Sequence, residues 1–144
     1  MKSILFVCLG NICRSPIAEG VARKLIEECG HTIEVDSAGT GHWHVGEAPC
    51  THSVAVARNH SIDIAHLRAR QVKKTDFTAF DLIVALDQSN YHDLKALGCK
   101  NLVKLGDYGY NGVDVPDPYF FDGFEGFEHV YTMIESCVKE LLKR

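Results

Sequence analysis

SILFVCLGNICRSPIAE, residues 3–19, joins a continuous apolar run to a helical pattern through a short loop. The run Ser3–Cys8 is typical of a strand that is buried on both faces of a sheet. Ser15 can serve as the N-cap of a helix, and Pro16 fits its first position. That helix is predicted to end near Gly30.

Further apolar runs predict three more strands, at Thr32–Asp36, Asp81–Leu86 and Asn101–Leu105. Helices are expected from about Thr51 to Asn59, at Asn90–Leu97, and along a final apolar stripe of Phe127, Val130, Ile134, Val138 and Leu141. Ser37–Pro49 is predicted to be a loop. No repeat or linker divides the chain, so residues 1–144 are expected to form a single domain. Strands that alternate with helices predict a three-layer α/β fold, with a parallel sheet and helices on both faces.

Composition narrows the class of function. The 144 residues are 46% hydrophobic and 24% charged, as in an ordinary globular protein, and the formal net charge of −4 disfavours a nucleic-acid partner. No apolar run is long enough to cross a membrane, and the N-terminal run is too short for a signal sequence. The six cysteines are therefore expected to be thiols in the cytoplasm. A metal site is disfavoured, because there is no CxxC pair and His42 and His44 are the only closely spaced histidines.

The segment after the first strand has the composition of an anion-binding loop. Cys8 and Arg14 enclose the five residues Leu9, Gly10, Asn11, Ile12 and Cys13, and Ser15 follows. Five residues can wrap so that their N–H groups converge on one centre at a helix N-terminus, and an arginine can grip two phosphate oxygens. This positive field favours the thiolate form of Cys8, which can attack phosphorus. Cys8 alone would suggest only a buried structural cysteine, but the whole pattern favours a phosphate site.

VCLGNICRSPIAE, at Val7–Glu19, resembles the signature of the low-molecular-weight protein-tyrosine phosphatases. The resemblance covers nearly the whole chain, in the family's order and spacing. It includes VDSAGT at Val35–Thr40, ARQ at Ala69–Gln71, DLIVALDQSN at Asp81–Asn90 and PDPY at Pro116–Tyr119. It implies a four-stranded parallel sheet, no metal ion or other cofactor, and hydrolysis of phosphotyrosine or small aryl phosphates through a cysteinyl-phosphate. Phosphotyrosine proteins are the implied partners, and phosphate or vanadate the implied active-site anions.

The resemblance also implies roles for residues outside the loop. Asp117 matches the family's general acid, although Asp107, Asp114 and Asp122 compete with it on the sequence alone. Ser37 and His66 match residues that support the loop together with Asn11. Trp43 and Tyr119 match the aromatic walls of the substrate pocket. Ser15 is expected to donate a hydrogen bond to the sulfur of Cys8.

The sequence disfavours four other functions. A thiol-based arsenate reductase needs further cysteines near the third strand, and Leu82–Asn90 contains none. A protein-arginine phosphatase of the same family carries threonine where this chain has Ile12. A non-catalytic phospho-ligand module would not need Cys8, Arg14 and Asp117 together, and a nucleotide-binding P-loop needs a GK[ST] motif that is absent. Cys13 is expected close to Cys8, where it can either form a regulatory disulfide or simply fill space.

Overall fold

A computed structural model describes residues 1–118 and 124–143 and builds them around one sheet. Its strands are β1 (Ser3–Cys8), β2 (Glu34–Gly39), β3 (Leu82–Ala85) and β4 (Leu102–Lys104). All neighbours are parallel, in the order β2-β1-β3-β4. The predicted four-stranded parallel sheet is therefore confirmed. β1 is central and all six of its residues are buried, which explains its continuous apolar sequence.

Helices cover both faces of the sheet, as predicted. They are α1 (Arg14–Cys29), α2 (Thr51–Asn59), α3 (Asp76–Ala79), α4 (Gln88–Ala96) and α5 (Glu125–Leu142), and a 3₁₀ turn spans Leu105–Asp107. α1, α2 and α5 pack on the face that carries Ile4 and Phe6 of β1. α4 packs on the opposite face, against Leu5 and Val7. None of the helices described is both long and apolar enough to cross a lipid bilayer.

Two boundaries near the loop differ from the prediction. β2 begins two residues later than expected and runs on to Gly39, because its last residues pair with the end of β1: Phe6 with Ser37 and Cys8 with Gly39. α1 begins at Arg14, so Ser15 lies inside the first turn and is not the N-cap. The hydroxyl of Ser15 bonds side chains of the loop instead.

Candidate active site

The predicted phosphate-binding loop runs from Cys8, at the carboxyl end of β1, to Arg14, the first residue of α1. Ligands of parallel α/β sheets bind beyond this end of the strands, and the helix N-terminus favours an anion there. Asn11 has a φ of 57°, the left-handed conformation that asparagine tolerates well. The loop also packs tightly against the segment that follows β2, where the N–H groups of Thr40 and Gly41 donate to the carbonyls of Cys8 and Leu9.

The sulfur of Cys8 is surrounded by hydrogen-bond donors. The backbone N–H of Asn11 donates to Cys8 Sγ at 3.3 Å, and Ser15 Oγ lies 3.0 Å from the same sulfur. Ser15 Oγ itself accepts from Asn11 Nδ2 at 2.8 Å, which leaves its own hydrogen to donate to Cys8. Both bonds stabilise negative charge on the sulfur, which is the form that acts as a nucleophile.

A buried network holds Asn11 in place. Asn11 Nδ2 also donates to Ser37 Oγ at 3.0 Å, and Asn11 Oδ1 accepts from the backbone N–H of Arg70 at 3.0 Å. Ser37 Oγ donates in turn to Glu19 Oε1 at 2.7 Å, and Arg23 Nε donates to the other oxygen of Glu19 at 2.9 Å. The loop is thereby tied to α1, β2 and the segment before α3.

His66 is not part of this network, contrary to the expectation from the sequence. It is exposed, within a turn that the Leu67 N–H closes onto the Ile64 carbonyl. Ile64 is buried and Leu67 packs against the core, so the chain turns His66 outward. Glu19 accepts the hydrogen bond of Ser37 instead. Glu19 was quoted within the signature but given no role, although its i,i+4 spacing from Ser15 places it on the same helix face.

Arg14 is buried and fixed at its guanidinium. Its Nη1 donates to Asp87 Oδ2 at 2.7 Å and to the carbonyl of Val115 at 2.9 Å. Burial by itself would lower the pKa of Arg14, but the negative charge of Cys8 and the bond to Asp87 raise the pKa above its ordinary value. Arg14 is therefore a permanent cation. Asp87 lies within the DLIVALDQSN motif, but no role was predicted for it from the sequence.

One pocket collects most of the predicted site residues. It is lined by Cys8, Leu9, Gly10, Ile12, Cys13, Arg14, Trp43, His44 and Asp117. Trp43 is 64% exposed and stacks on His42, which makes it an aromatic rim beside the loop. Tyr119, the second predicted wall, lies outside the described residues. Across residues 1–118 and 124–143, no three histidine, cysteine, aspartate or glutamate side chains are grouped to hold a metal ion.

The competing aspartates have different positions. Asp117 lines the pocket with Cys8 and Arg14. Asp114 Oδ1 accepts from the Gln88 N–H at 3.0 Å and from Lys104 Nζ at 3.1 Å, outside that pocket. Asp107 is exposed, and Asp122 lies outside the described residues. The loop that carries Asp117 is attached to the sheet and to the guanidinium at Val115, whose N–H donates to the Leu86 carbonyl at 3.0 Å and whose carbonyl accepts from Arg14.

This arrangement can bind a tetrahedral anion, attack it and transfer a proton. The loop N–H groups and the guanidinium supply positive charge, Cys8 supplies a nucleophile, and Asp117 supplies a carboxyl group on the pocket wall.

Known proteins share both the sequence and the fold of this chain. The sequence model of the family described as "Low molecular weight phosphotyrosine protein phosphatase" matches residues 3–144. The pig protein of that name is 40% identical, over 99% of this chain and 95% of its own length. A crystal structure of a protein tyrosine phosphatase from Entamoeba histolytica, with Hepes in its active site, is 34% identical with a TM-score of 0.92 and covers 99% of this chain and 96% of that one. The structure of YfkJ from Bacillus subtilis is 38% identical with a TM-score of 0.90, over 99% and 93%. The chain belongs to the low molecular weight phosphotyrosine protein phosphatase family.

Proposed function

We propose that this protein is a cytoplasmic protein-tyrosine phosphatase that works through a cysteinyl-phosphate on Cys8. The observation that carries the proposal is the position of Cys8 Sγ. The sulfur accepts hydrogen bonds from Ser15 and the Asn11 N–H, and it shares one pocket with Arg14 and Asp117. The cytoplasmic assignment follows from the cysteine content, since six thiols suit a reducing compartment.

In the first step the Cys8 thiolate attacks phosphorus, and the bond between phosphorus and the tyrosyl oxygen breaks. Asp117, as the acid, gives its proton to that oxygen. The tyrosyl phenol has a pKa of about 10, so an unprotonated phenolate is a poor leaving group. Arg14 and the N–H groups of the loop hold the equatorial oxygens of the transferring phosphoryl group, which stabilises their charge in the transition state.

In the second step water hydrolyses the cysteinyl-phosphate. Asp117, now a carboxylate, takes a proton from the attacking water, and the sulfur–phosphorus bond breaks. Cys8 leaves as a thiolate, and the Ser15 hydroxyl and the Asn11 N–H stabilise the charge that returns to its sulfur. Release of inorganic phosphate restores the starting enzyme.

The shape of the pocket favours an aryl phosphate. Cys8 is buried at the base of the pocket, whereas Leu9 and Trp43, which also line it, are 47% and 64% exposed. A phosphotyrosine is long enough to reach the sulfur while its ring contacts these apolar side chains, and a phosphoserine is shorter. Ile12 also lines the pocket, and an apolar side chain there offers no hydrogen bond to a phosphoguanidinium group.

The experiment that tests the proposal measures phosphate release from peptides of one sequence that carry phosphotyrosine, phosphoserine or phosphoarginine. We expect the wild type to prefer phosphotyrosine, and Cys8→Ser to lose turnover while phosphate still raises its melting temperature. Cys29→Ser, which changes an exposed thiol at the end of α1, is the matched control and should behave as the wild type. Turnover by Cys8→Ser near the wild-type level would refute covalent catalysis, and faster release from phosphoarginine would refute the substrate class.

A further inference from the structure

A second pair of thiols lies beside the pocket. Cys13 Sγ donates a hydrogen bond to Cys50 Sγ at 3.0 Å, and both residues are half-buried. Cys13 belongs to the phosphate-binding loop, whereas Cys50 directly precedes α2. Both are thiols in this structure. A disulfide bond is about 2.05 Å long, so the two sulfurs need to approach by only about 1 Å to become bonded.

The surrounding hydrogen bonds hold these two sulfurs together. The N–H of Cys50 donates to the carbonyl of Ile12 at 2.8 Å, and Ser53 Oγ donates to the carbonyl of Cys13 at 3.0 Å. Cys50 Sγ lies 3.0 Å from the same Ser53 oxygen. Because the hydroxyl hydrogen of Ser53 is used on the carbonyl, the Cys50 thiol donates to Ser53, and its sulfur accepts from Cys13. The start of α2 is therefore attached to the loop at Cys13, with the two sulfurs in contact.

Cys13 also shares a pocket with the nucleophile. Cys8 and Cys13 line the same pocket, and Cys50 is not among the residues that line it. The hydrogen bond to Cys50 raises the pKa of the Cys13 thiol above its ordinary value, and burial and the negative charge of Cys8 act in the same direction. Cys13 is thus a protonated thiol. Peroxides react with thiolates, so an oxidant that enters the pocket reacts first with Cys8.

We infer that Cys13 and Cys50 form an oxidation site that takes the oxidising equivalent of hydrogen peroxide from Cys8. The inference rests on the proposed role of Cys8 as a thiolate nucleophile. The Cys8 thiolate first attacks one oxygen of the peroxide. The O–O bond breaks, hydroxide departs, and Cys8 becomes a sulfenic acid. The Cys13 thiol then attacks that sulfur. The S–O bond breaks, and the Cys13 proton leaves with the hydroxide as water, so that a Cys8–Cys13 disulfide forms.

In the last step Cys50 takes the place of Cys8. The Cys50 thiol attacks the sulfur of Cys13, the Cys8–Cys13 bond breaks, and Cys8 leaves as a thiolate. The proton of Cys50 neutralises the hydroxide from the first step. In total, one peroxide becomes two waters, and two thiols become one disulfide. Cys8 is the favoured leaving group because Ser15 and the Asn11 N–H stabilise its charge. The transfer spares Cys8 from sulfinic acid, which thiols do not reduce.

The experiment treats wild type, Cys50→Ser and Cys29→Ser with one equivalent of hydrogen peroxide. Remaining thiols are alkylated, and linked peptides are identified by mass spectrometry. Cys8 and Cys13 share one tryptic peptide, so chymotryptic cleavage after Leu9 is needed to separate them. Activity on an aryl phosphate is measured before and after treatment. Activity of the reduced wild type tests the proposed phosphatase function on its own, and the linked peptides test the transfer.

Two results are expected together. Wild type and Cys29→Ser should carry a Cys13–Cys50 link, with Cys8 alkylated and most activity kept. Cys50→Ser should lose several-fold more activity at the same dose, with Cys8 linked to Cys13 or converted to sulfinic acid. The inference is overturned if the stable link in wild type is Cys8–Cys13, if no link to Cys50 forms, or if Cys50→Ser is as resistant as Cys29→Ser. The linkage in wild type needs no variant, so a folding defect in Cys50→Ser cannot conceal the answer.

Discussion

Arg14 Nη1 lies 2.7 Å from Asp87 Oδ2, so the guanidinium at the start of α1 is oriented by the N-cap residue of α4. The other oxygen of Asp87 accepts from the Asn90 N–H at 2.8 Å and caps that helix. One carboxylate therefore contacts both Arg14, the cation proposed to bind phosphate, and the start of α4, which lies on the opposite face of the sheet from α1. We therefore expect both catalysis and stability to depend on Asp87.

Asp87→Ala should weaken both properties. Loss of the cap is expected to cost about 1 kcal/mol of the free energy of unfolding. Loss of the bond to Arg14 should lower kcat/KM on aryl phosphates by roughly tenfold or more, because a misplaced clamp stabilises the transition state less. Urea denaturation and steady-state kinetics measure the two effects. Asp93→Ala, at an exposed position of the same helix, is the control. An Asp87→Ala enzyme that is destabilised but kinetically normal would show that Asp87 acts only as a cap.

Asp117→Ala should slow the hydrolysis of each substrate to an extent that depends on its leaving group. A phenol of high pKa needs a proton as it leaves, and a general acid contributes about 10²–10⁴-fold in rate. The rate of hydrolysis of a substrate whose leaving group is a strongly acidic phenol should therefore fall little. The measurement is kcat/KM for a series of substituted phenyl phosphates with wild type and variant, because kcat/KM reports the step that forms the cysteinyl-phosphate and not the later hydrolysis in which Asp117 acts as a base. Asp114→Ala is the matched control, since Asp114 contacts Gln88 and Lys104 outside the pocket. Equal losses across the series would exclude Asp117 as the acid.

The strand, the loop and the existence of α1 could be predicted because their signals are local, although α1 begins at Arg14 and not after Ser15. An apolar run, a cysteine and an arginine that enclose five residues, and a Ser-Pro pair all lie within residues 3–16. The end of β2 could not be predicted in this way. Ser37, Ala38 and Gly39 are small residues without a strong strand preference, and they are strand only because β1 lies beside them in register.

The supporting residues of the site depend on contacts between distant segments. His66 matched a supporting position by resemblance, but the turn at Ile64–Leu67 directs it to solvent. The partner of Ser37 is Glu19, from 18 residues earlier in the chain, and the partner of Arg14 is Asp87, from 73 residues later. Neither pairing follows the spacing of a helix or a strand, so the sequence pattern does not reveal it. The contact between Cys13 and Cys50 has the same origin.

Glu19→Gln tests the buried network. Glu19 accepts from both Ser37 and Arg23, so the amide NH₂ of glutamine would face one of these donors and leave it unsatisfied. Loss of such a buried bond is expected to cost about 1–3 kcal/mol. We also expect a lower kcat/KM, since Ser37 holds Asn11 and Asn11 holds the loop. Glu27→Gln, on the exposed end of α1, should change neither property. If stability falls while kcat/KM and phosphate affinity stay unchanged, the network does not position the loop.

Gly39→Ala tests how closely the end of β2 packs against the phosphate-binding loop. A Cβ at position 39 would lie 2.7 Å from the carbonyl oxygen of Leu9, 3.1 Å from the carbonyl carbon of Gly10 and 3.2 Å from the nitrogen of Asn11. These are backbone atoms of the phosphate-binding loop, so we expect relief of the clash to move the N–H groups that are proposed to bind phosphate. Since a displacement of about 1 Å at a catalytic site can cost about 10²-fold, we expect kcat/KM to fall by roughly 10–100-fold.

Gly98→Ala is the control that separates this effect from general destabilisation. Gly98 follows α4, has a φ of +96° and has no heavy atom within 4 Å of an added Cβ. Alanine there is strained by its backbone alone, at a cost of about 1 kcal/mol or more, and it does not touch the loop. Both variants should therefore unfold at a lower urea concentration than the wild type. Only Gly39→Ala should also show a lower kcat/KM, with a matching loss of phosphate affinity. If the two variants lose the same small fraction of activity at equal stability, the packing of β2 against the loop does not set the geometry of phosphate binding.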